Sequence, residues 1–556
     1  MAITTNIVSD QELKEKMSET LEFLAHTLKN TLGPYGSTTI IQDQFMNHQI
    51  TKDGYSLLKK IVIREKEAAT VLDLVKAISR RLVRKVGDGS TSSIIIANSL
   101  YKEVTELMKK YKVPPKNLLS LLDQISTLTA EEIKLLATPI ADDMSDLRYI
   151  AAVSTNNDLN YGLLIEEIFT KIGRYGFVDL QLSKTEKTYY EVTKGIEVGR
   201  GYLNTIMANQ PDKKTCVIED CNVLMVNDKL TEDDIDSFSD ILGYYLLTHG
   251  QPLCIIAKGY DTAFEVFLHT NIKNVCRKGK APDILAVDLA MNNIDNQNRV
   301  DDIAAFVGCE VFDKAEGWGS FSYNMVGKVN KVVCTDTYYR LIEGHGDKAI
   351  IDARVKQLTE ELQEKSRREG HIEFDKDVYE LRRRIAHLDA SLAVLYIGGK
   401  SEDAKETDKY LVEDAVFACR SALEFGYIPG GNLIVPIVLT DSYEKILNQL
   451  INDNPKMKKE YIQDVLLAIK ESFLQSYISV LNNCYMDLDY CRHVAEKCVD
   501  EHLFLNLKED EMETMDETHI INSAETDIEI LKASISIIGL LATSNQFIKF
   551  GALFNN

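Results

Sequence analysis

The feature that most constrains the fold is the likeness of the two chain ends and the different character of the middle. Residues 9–31, 66–86 and 116–137 carry apolar side chains at helical spacing, and residues 432–556 are again mostly helical. In between, residues 195–390 alternate short apolar β-like runs with amphipathic helices. This order predicts an α-rich domain that is interrupted by an inserted α/β domain.

Length, charge and cysteine usage narrow the class of protein. A chain of 556 residues is too long for one core, so two to four domains are expected. The net charge of -22 argues against a general nucleic-acid-binding surface. No basic region followed by an apolar run begins the chain, and no stretch of about 18 apolar residues occurs, so neither a secretory signal nor a membrane span is expected. The cysteines form no C-x-x-C pair, which favours a reduced, cytoplasmic setting.

Residues 86–93 have the composition of a phosphate-binding loop. They read Val-Gly-Asp-Gly-Ser-Thr-Ser-Ser, and an apolar helix is predicted to follow from Ile94. Glycines let the backbone approach a ligand, hydroxyl and N–H groups at a helix start suit phosphate oxygens, and the acid suits a nucleotide-bound Mg²⁺. A Gly-Asp-Gly turn is also an ordinary way to begin a helix, so the stretch alone leaves both interpretations open.

Four further segments, together with residues 87–91, form an ordered set of five motifs. The chain contains Thr-Leu-Gly-Pro-x-Gly at 31–36, Ile-Thr-Lys-Asp-Gly at 50–54, Gly-Asp-Gly-Ser-Thr at 87–91, Val-Glu-Asp-Ala at 412–415 and Gly-Tyr-Ile-Pro-Gly-Gly at 426–431. Together they resemble the group I chaperonins, the GroEL-like family. A sixth match, Gly-Arg-Gly-Tyr-Leu at 199–203, lies in the middle of the chain. The resemblance spans essentially the whole chain, although the middle and residues 432–556 diverge more.

The resemblance implies an α+β multidomain fold with three domains. A mostly α-helical equatorial, ATP-binding domain would comprise residues 1–136 and 425–556. A small mixed α/β intermediate domain would comprise 137–194 and 392–424, and an α/β apical domain that grips polypeptide would comprise 195–391. This division agrees with the interrupted α-rich domain that the helical pattern predicts.

The resemblance also implies a site for ATP and Mg²⁺, with K⁺ as an additional candidate cation. The residues that would bind ATP are Thr31, Leu32, Gly33, Pro34, Lys52, Asp88, Gly89, Ser90, Thr91, Ser92 and Gly431. Asp88 would also ligate Mg²⁺. Asp414 would position the attacking water, with Asp53 as a second catalytic acid, since phosphoryl transfer to water depends on charge neutralisation and an aligned nucleophile.

Two positions near the C-terminal end of the sequence correspond to nucleotide-contacting residues of the family, and only one of them keeps the family's residue type. Counting back from Gly539 places the family's late nucleotide-contacting aspartate on Asn522, which can accept a hydrogen bond but carries no charge. The same frame places the family's adenine-side asparagine on Asn506, which matches. Both residues are expected to contact the nucleotide.

The hinges between the domains are partly altered. The upper hinge keeps Gly195, but the opposite strand reads Ala390-Ser391 where the family usually has paired glycines. Because Ala and Ser resist positive φ, we expect Ala390-Ser391 either to restrict the swing of this hinge or to move the pivot elsewhere. The lower hinge is expected at Pro139 and Gly426.

The polypeptide-binding surface is predicted from an extended segment and a helix of the apical domain. The expected residues are Tyr202, Ile206, Met207, Phe264, Phe267 and Leu268. An exposed patch of such side chains would mark a binding site. The alternative is that they form the core of the apical domain.

The function implied by the resemblance is ATP-driven protein folding. Identical subunits would form a heptameric ring, either single or double, that captures non-native polypeptides; use of a co-chaperonin is left open. One alternative is a chaperonin-derived holdase or structural ring that binds ATP without a full cycle, motivated by Asn522 and Ala390-Ser391. Another is an unrelated metal-dependent phosphohydrolase. The Asn-, Lys- and Tyr-rich composition favours an AT-rich or bacteriophage genome, and hence the host cytoplasm.

Overall fold

The structure is a computed structural model in which two compact units can be described. It describes residues 5–8, 10–42, 48–155, 158–210, 214–289, 299–369, 376–389, 392–507, 511–544 and 546–550. The first unit comprises Met1–Glu167, Leu182–Glu186 and Ile397–Asn556, and the second comprises Ile168–Gln181 and Lys187–Tyr396. The finer division into three domains stays a prediction.

The N-terminal part of the chain is mostly helical. Its elements are β1 (Thr5–Val8), α1 (Asp10–Lys29), β2 (Thr39–Gln42), β3 (His48–Thr51), α2 (Gly54–Lys60), α3 (Lys66–Val86), α4 (Ser90–Tyr111), α5 (Pro115–Leu136), α6 (Leu147–Ser154) and α7 (Leu159–Ile172). The predicted helices 9–31, 66–86 and 116–137 are confirmed to within two residues. Helix α4 begins at Ser90 rather than at Ile94, so the hydroxyl residues form its first turn.

The middle of the chain alternates strands and helices, as its sequence predicts. Its elements are β4 (Phe177–Leu182), β5 (Tyr189–Thr193), β6 (Gly195–Val198), β7 (Cys216–Leu230), α8 (Ile235–Leu242), β8 (Leu253–Tyr260), α9 (Thr262–Asn271), β9 (Ile284–Asp288), α10 (Val300–Val307), β10 (Gly327–Cys334), β11 (Tyr339–Gly344), α11 (Lys348–Glu369), α12 (Lys376–Asp389) and β12 (Leu392–Ile397). A six-stranded sheet has the order β6-β11-β10-β7-β8-β9, in which β7, β8 and β9 are parallel. A three-stranded sheet has the order β4-β12-β5.

The C-terminal part returns to helices. Its elements are α13 (Glu402–Phe425), β13 (Tyr427–Pro429), α14 (Ile434–Asp441), α15 (Tyr443–Asp453), α16 (Lys459–Asn482), α17 (Leu488–Glu501), β14 (Phe504–Asn506), β15 (Glu511–Glu513), α18 (Met515–Thr518), β16 (Ile521–Ser523), α19 (Ala524–Thr543) and β17 (Phe547–Phe550). Strand β17 pairs with β1, and β16 pairs with β13. These pairings join segments that are far apart in the sequence.

The core of the first unit is built from both chain ends. Helix α4 lies at its centre and packs against α1, α16 and α19. Leu21, Ile96, Ile469 and Ile538 are fully buried in one continuous cluster. Because apolar burial drives folding, this shared core holds the N-terminal and C-terminal segments together and fixes the loops at the ends of their helices.

The core of the second unit corrects part of the polypeptide-binding prediction. Tyr202, Met207, Phe264 and Leu268 are buried in this core, and Ile206 and Phe267 are partly buried against it. The apolar side of the short helix α9 faces the sheet, so Phe264 and Leu268 are core side chains rather than parts of an exposed patch. The expectation that they form an exposed surface is therefore wrong for this conformation.

Candidate functional site

The first turn of helix α4 is a candidate anion site. Its N-cap is Gly89, whose φ of 89° is left-handed, and no side chain caps the helix. A side chain at Gly89 would lie 2.4 Å from Ile530 of α19, and one at Gly87 would lie 3.0 Å from the backbone oxygen of Asp414 in α13. Glycine is required at both positions by space and by φ. The uncapped N–H groups of the first turn are therefore available for an anionic ligand.

Three of the predicted acidic residues converge beside this helix start. Asp53 caps helix α2, because its carboxylate accepts hydrogen bonds from the backbone N–H groups of Tyr55 (3.1 Å) and Ser56 (2.8 Å). Asp88 is exposed and Asp414 is half-buried, so a ligand can reach both carboxylates. Partial removal of water raises the pKa of Asp88, and the negative charge of Asp53 raises it further.

The surroundings of Asp414 strongly raise the pKa of its carboxyl group. Loss of water around its carboxylate raises its pKa well above the usual range, and the charges of Asp53, Asp88 and Glu413 add to that effect, while Lys59 opposes it. Carboxylates that raise one another's pKa are close enough to repel. Binding a cation among them would relieve this repulsion.

A fourth acid, Asp527, was not predicted from the sequence. It lies in the first turn of α19 and is fully buried, and its Oδ1 atom has no hydrogen-bond partner among the described residues. Burial raises the pKa of Asp527 to about 7, with a further contribution from the charge of Asp88 and an opposing hydrogen bond from Asn522. No family motif marked this position, and Asp527 is one of three acids, with Glu525 and Glu529, at the start of a largely apolar helix.

The segment after helix α1 is held in place by hydrogen bonds. The Thr31 hydroxyl donates to the backbone oxygen of Leu28 (2.8 Å), and Lys52 Nζ donates to the backbone oxygen of Pro34 (2.9 Å). Burial lowers the pKa of Lys52. Gly33 has a φ of 80°, which favours glycine. The predicted residues 31–34 and Lys52 therefore meet in the structure.

Asn483, which the sequence analysis missed, fastens this segment to helix α16. Its Nδ2 atom donates to the backbone oxygens of Lys29 (2.8 Å) and Leu32 (2.9 Å). Lys29 is the last residue of helix α1, and Leu32 lies in the segment that follows it. Asn483 thus does for the C-terminus of α1 what a capping side chain does elsewhere.

We expect Asn483→Ala to lower the free energy of unfolding of the first unit by about 1–2 kcal/mol, because it removes both side-chain hydrogen bonds to this segment. Thermal unfolding followed by calorimetry measures the change. Asn482→Ala is the matched control, since Asn482 is exposed. Equal melting temperatures for the two variants would show that the Asn483 hydrogen bonds contribute nothing to stability.

The residues after strand β13 form a left-handed turn against helix α4. Gly431 and Asn432 have φ values of 76° and 60°. A side chain at Gly431 would lie 3.2 Å from the ring of Tyr477. Asn432, which was not predicted, donates from Nδ2 to the hydroxyl oxygens of Ser92 (2.9 Å) and Ser476 (2.9 Å). The turn that contains the predicted Gly431 therefore contacts the predicted hydroxyl residues.

Asn506 and Asn522 lie in separate hydrogen-bonded settings. Asn506 Nδ2 donates to the Glu513 carboxylate at 2.9 and 3.0 Å across the β14–β15 pair. Asn522 Nδ2 donates to Asp527 Oδ2 at 3.4 Å, and its Oδ1 atom accepts from the backbone N–H of Ser523 at 2.9 Å. Asn522 therefore reaches the acidic group through Asp527. Contact of either asparagine with a nucleotide stays a prediction.

The predicted hinge residues are described one by one. Gly426 has a φ of 77°, and a side chain there would lie 2.7 Å from the backbone oxygen of Thr138. Thr138, which precedes Pro139, exchanges two backbone hydrogen bonds with Tyr427 (2.9 and 2.8 Å). Gly195 begins strand β6 and pairs with Ile342. Ser391 lies outside the described residues, so its expected effect on the hinge stays a prediction.

The acidic group suits a metal that a ligand would help to hold. Among the described residues, no set of three or more His, Cys, Asp or Glu side chains is arranged to hold a metal ion alone. Nucleotide-bound Mg²⁺ typically uses one or two carboxylates and completes its shell with phosphate and water oxygens. The exposed Asp88 carboxylate, raised in pKa beside Asp53, fits that role.

The comparisons with known proteins agree with the fold and the order of the motifs. Residues 24–241 match the model of the TCP-1/cpn60 chaperonin family. The chain is 17% identical to the chaperonin gp146 from the bacteriophage EL 2 (Pseudomonas aeruginosa), over 99% of both chains and with a TM-score of 0.75. The chain has the chaperonin fold. The predicted α+β multidomain chaperonin fold is confirmed, and the family match over residues 24–241 supports the predicted resemblance to GroEL-like chaperonins.

A second crystal form of gp146 gives the same result for the chaperonin fold. It covers 98% of this chain and 99% of gp146, with a TM-score of 0.65 and 17% identity. Both gp146 crystal forms were obtained in the presence of ATP-BeFx. Among the described helices of this chain, none combines the length and the apolar character that a membrane span requires.

Proposed function

We propose that this chaperonin is a subunit of a homo-oligomeric ring that binds and hydrolyses ATP with Mg²⁺ and assists the folding of non-native polypeptides. The observation that carries the proposal is the uncapped start of helix α4 beside Asp53, Asp88 and Asp414. Backbone N–H groups and buried hydroxyls would hold phosphate oxygens, and the acids would serve the metal and the attacking water. The crystal forms of gp146 obtained in the presence of ATP-BeFx support nucleotide binding by a protein of this fold.

ATP binding would use the loops around helix α4. Ser90, Thr91 and Ser92 in its first turn would donate to phosphate oxygens, and Gly89 would allow a close approach. The segment 31–34 and Lys52 would surround the phosphate chain, and Gly431 would lie beside the ribose and base. Asp88 would hold Mg²⁺, which supplies charge neutralisation to the phosphate oxygens.

Hydrolysis would depend on the two remaining predicted acids. Asp414 is placed on helix α13, against Gly87, by the close approach of their backbones. Its raised pKa makes it a stronger proton acceptor than an ordinary aspartate, which suits a group that orients and polarises a water molecule. Asp53, fixed by the two N–H groups of helix α2, would hold the other side of that water.

Gly54 is expected to be needed for ATP affinity. A methyl group at this position would lie 1.8 Å from the hydroxyl oxygen of Thr91 and 3.5 Å from that of Thr31. In Gly54→Ala the Thr91 hydroxyl must therefore turn away, and we expect ATP to bind roughly tenfold more weakly. Isothermal titration calorimetry measures the affinity.

The control for that variant is Gly319→Ala, because no atom lies within 4 Å of the added methyl group at Gly319. An ATP affinity of Gly54→Ala equal to that of the control would contradict the placement of Thr91 at the phosphates. Loss of the folded state, seen as a lowered melting temperature without ATP, would instead identify Gly54 as a packing requirement.

Polypeptide capture would use apolar side chains that remain exposed on the second unit. Val266 on helix α9 is 59% exposed, and Leu247 in the segment Gly243–Thr248 is 65% exposed. Such side chains can bind apolar segments of unfolded chains. The ring is proposed to be heptameric and to act in the cytoplasm, that of the host if a bacteriophage encodes it.

The test is to measure Mg²⁺-dependent ATP hydrolysis by the purified full-length chain, with and without a denatured protein, and to image it by electron microscopy. We expect closed rings, hydrolysis that stops when EDTA removes Mg²⁺, and recovery of the denatured protein only with ATP. Absence of rings together with absence of ATP binding would overturn the proposal.

A second candidate is a holdase ring that binds ATP without a productive cycle. The neutral Asn522, which replaces the acid expected at that position, favours it. In that case rings would bind ATP and prevent aggregation of a denatured protein, but ATP would not increase the yield of refolded protein. The same assays therefore separate the two candidates.

A further inference from the structure

The loop residue Asn432 connects two helices at the start of α4. It follows Gly431 and has a left-handed φ of 60°. Its side-chain amide donates to Ser92 Oγ and to Ser476 Oγ, each at 2.9 Å. Ser476 is fully buried and Ser92 is 4% exposed. A half-buried amide thus ties a residue of the first turn of α4 to a fixed point on α16.

The hydrogen bond from Asn432 determines what the Ser92 hydroxyl can still do. A serine hydroxyl has one proton to donate and two lone pairs to accept with. Because Ser92 Oγ accepts from Asn432, one lone pair is occupied and the proton remains. Among the described residues, no acceptor is assigned to that proton. The neighbouring Ser93 differs, since its hydroxyl donates to the backbone oxygen of Ser90 at 2.8 Å.

We infer that Asn432 is a positioning residue that keeps the Ser92 hydroxyl turned towards the phosphate chain of ATP. The amide cannot accept from Ser92 while its N–H groups face the hydroxyl, so the Ser92 proton is directed away from the loop. A hydroxyl held in this way is ready to donate to a phosphate oxygen at no further cost in rotamer freedom. The inference rests on the proposed function and adds a residue to its binding site.

Asn432→Gly is the variant that tests the inference, because glycine accepts the left-handed φ without strain and removes only the amide. ATP affinity is measured by isothermal titration calorimetry for the wild type, Asn432→Gly, Ser92→Ala and the double variant. We expect Asn432→Gly to bind ATP roughly three- to tenfold more weakly, as for the loss of one oriented hydrogen bond. In the Ser92→Ala background the same change should have no further effect.

Ser476→Ala is the control for simple loosening of the loop, since it removes the other partner of Asn432 and keeps the contact with Ser92. We expect its ATP affinity to stay within twofold of the wild type. Equal ATP affinities of Asn432→Gly and the wild type would overturn the inference and leave the proposed function standing. Additive losses in the double variant would overturn it too, because Asn432 would then act independently of Ser92.

ATP binding by the wild type and the role of Asn432 are tested by different measurements. If the wild type does not bind ATP in the presence of Mg²⁺, the proposed function fails and the role of Asn432 fails with it. Melting temperatures of all variants without ATP show whether folding is affected. A loss of affinity in Asn432→Gly that is matched by a large fall in melting temperature in both backgrounds would assign Asn432 to stability and overturn the inference.

Discussion

Replacement of Asp414 by alanine is expected to slow ATP hydrolysis roughly 100-fold while ATP binding stays nearly intact. The reason is the position of its carboxylate. Asp414 lies on helix α13, whereas the residues proposed to hold the phosphates lie on α4 and on the loop after α1. A group that acts on the water and not on the nucleotide contributes to the rate more than to the affinity.

Electrostatics predict a further detail of this variant. Burial raises the pKa of Asp414, and the charges of Asp53, Asp88 and Glu413 raise it further, so these three acids repel its carboxylate before any cation is present. Removing that carboxylate should leave ATP with Mg²⁺ bound as tightly as in the wild type, or slightly more tightly. Single-turnover kinetics separate the chemical step from product release, and calorimetry gives the affinity.

Glu406→Ala is the matched control for Asp414→Ala. Glu406 is an exposed acid on the same helix, two turns earlier, and it has no hydrogen bond within the described part of the chain. Its removal should leave both the rate and the affinity unchanged. Hydrolysis at the wild-type rate in Asp414→Ala would exclude Asp414 as the residue that positions the water.

The sequence predicts the loops of the site well because each loop carries its own local signal. Gly33, Gly87 and Gly89 all adopt the left-handed φ that a glycine in a turn suggests. Asp53 caps a helix, as an acid before a helical pattern predicts. These features depend on a few neighbouring residues, so a motif of five or six residues is enough to identify them.

Contacts between distant segments could not be predicted in the same way. Asn483 caps a helix that lies more than 450 positions earlier in the sequence, and Asn432 bonds residues of two different helices. Neither asparagine belongs to a local pattern. The apical residues show the same limit, because the apolar spacing of Phe264 and Leu268 marks one face of α9 without saying whether that face meets the sheet or solvent.

Asp527 lies in a helix that the local sequence predicts, but its burial depends on contacts between distant segments. It is expected to have a large effect on the pH dependence of stability. Its place in a helix is predictable, but the surroundings of its carboxylate depend on how α19 packs against α4. In that packing Ser534 donates to the backbone oxygen of Ser93 at 3.1 Å, and Ile530 lies against Gly89. Asp527 lies about one turn before Ile530 on this stripe, which directs it towards Asp88. The burial that results raises its pKa to about 7.

The raised pKa makes stability depend on pH in a definite direction. Since the folded pKa of about 7 is higher than the ordinary aspartate value of 3.8, the folded protein holds a proton that the unfolded chain releases between these two pH values. Stability therefore falls as the pH rises from about 4 to 7, and above pH 7 the whole cost is present, at most about 4 kcal/mol.

Asp527→Asn should remove this cost, because the amide is neutral at every pH. We expect the variant to melt at a higher temperature than the wild type at pH 8, and the difference to shrink towards zero near pH 4. Calorimetric unfolding in EDTA, with Asp123→Asn as the control at an exposed site, measures it. Parallel pH profiles for wild type and Asp527→Asn would show that Asp527 is not a buried charge in the folded protein. Because a cation near Asp88 would offset the same charge, adding Mg²⁺ and ATP at pH 8 should stabilise the wild type more than Asp527→Asn.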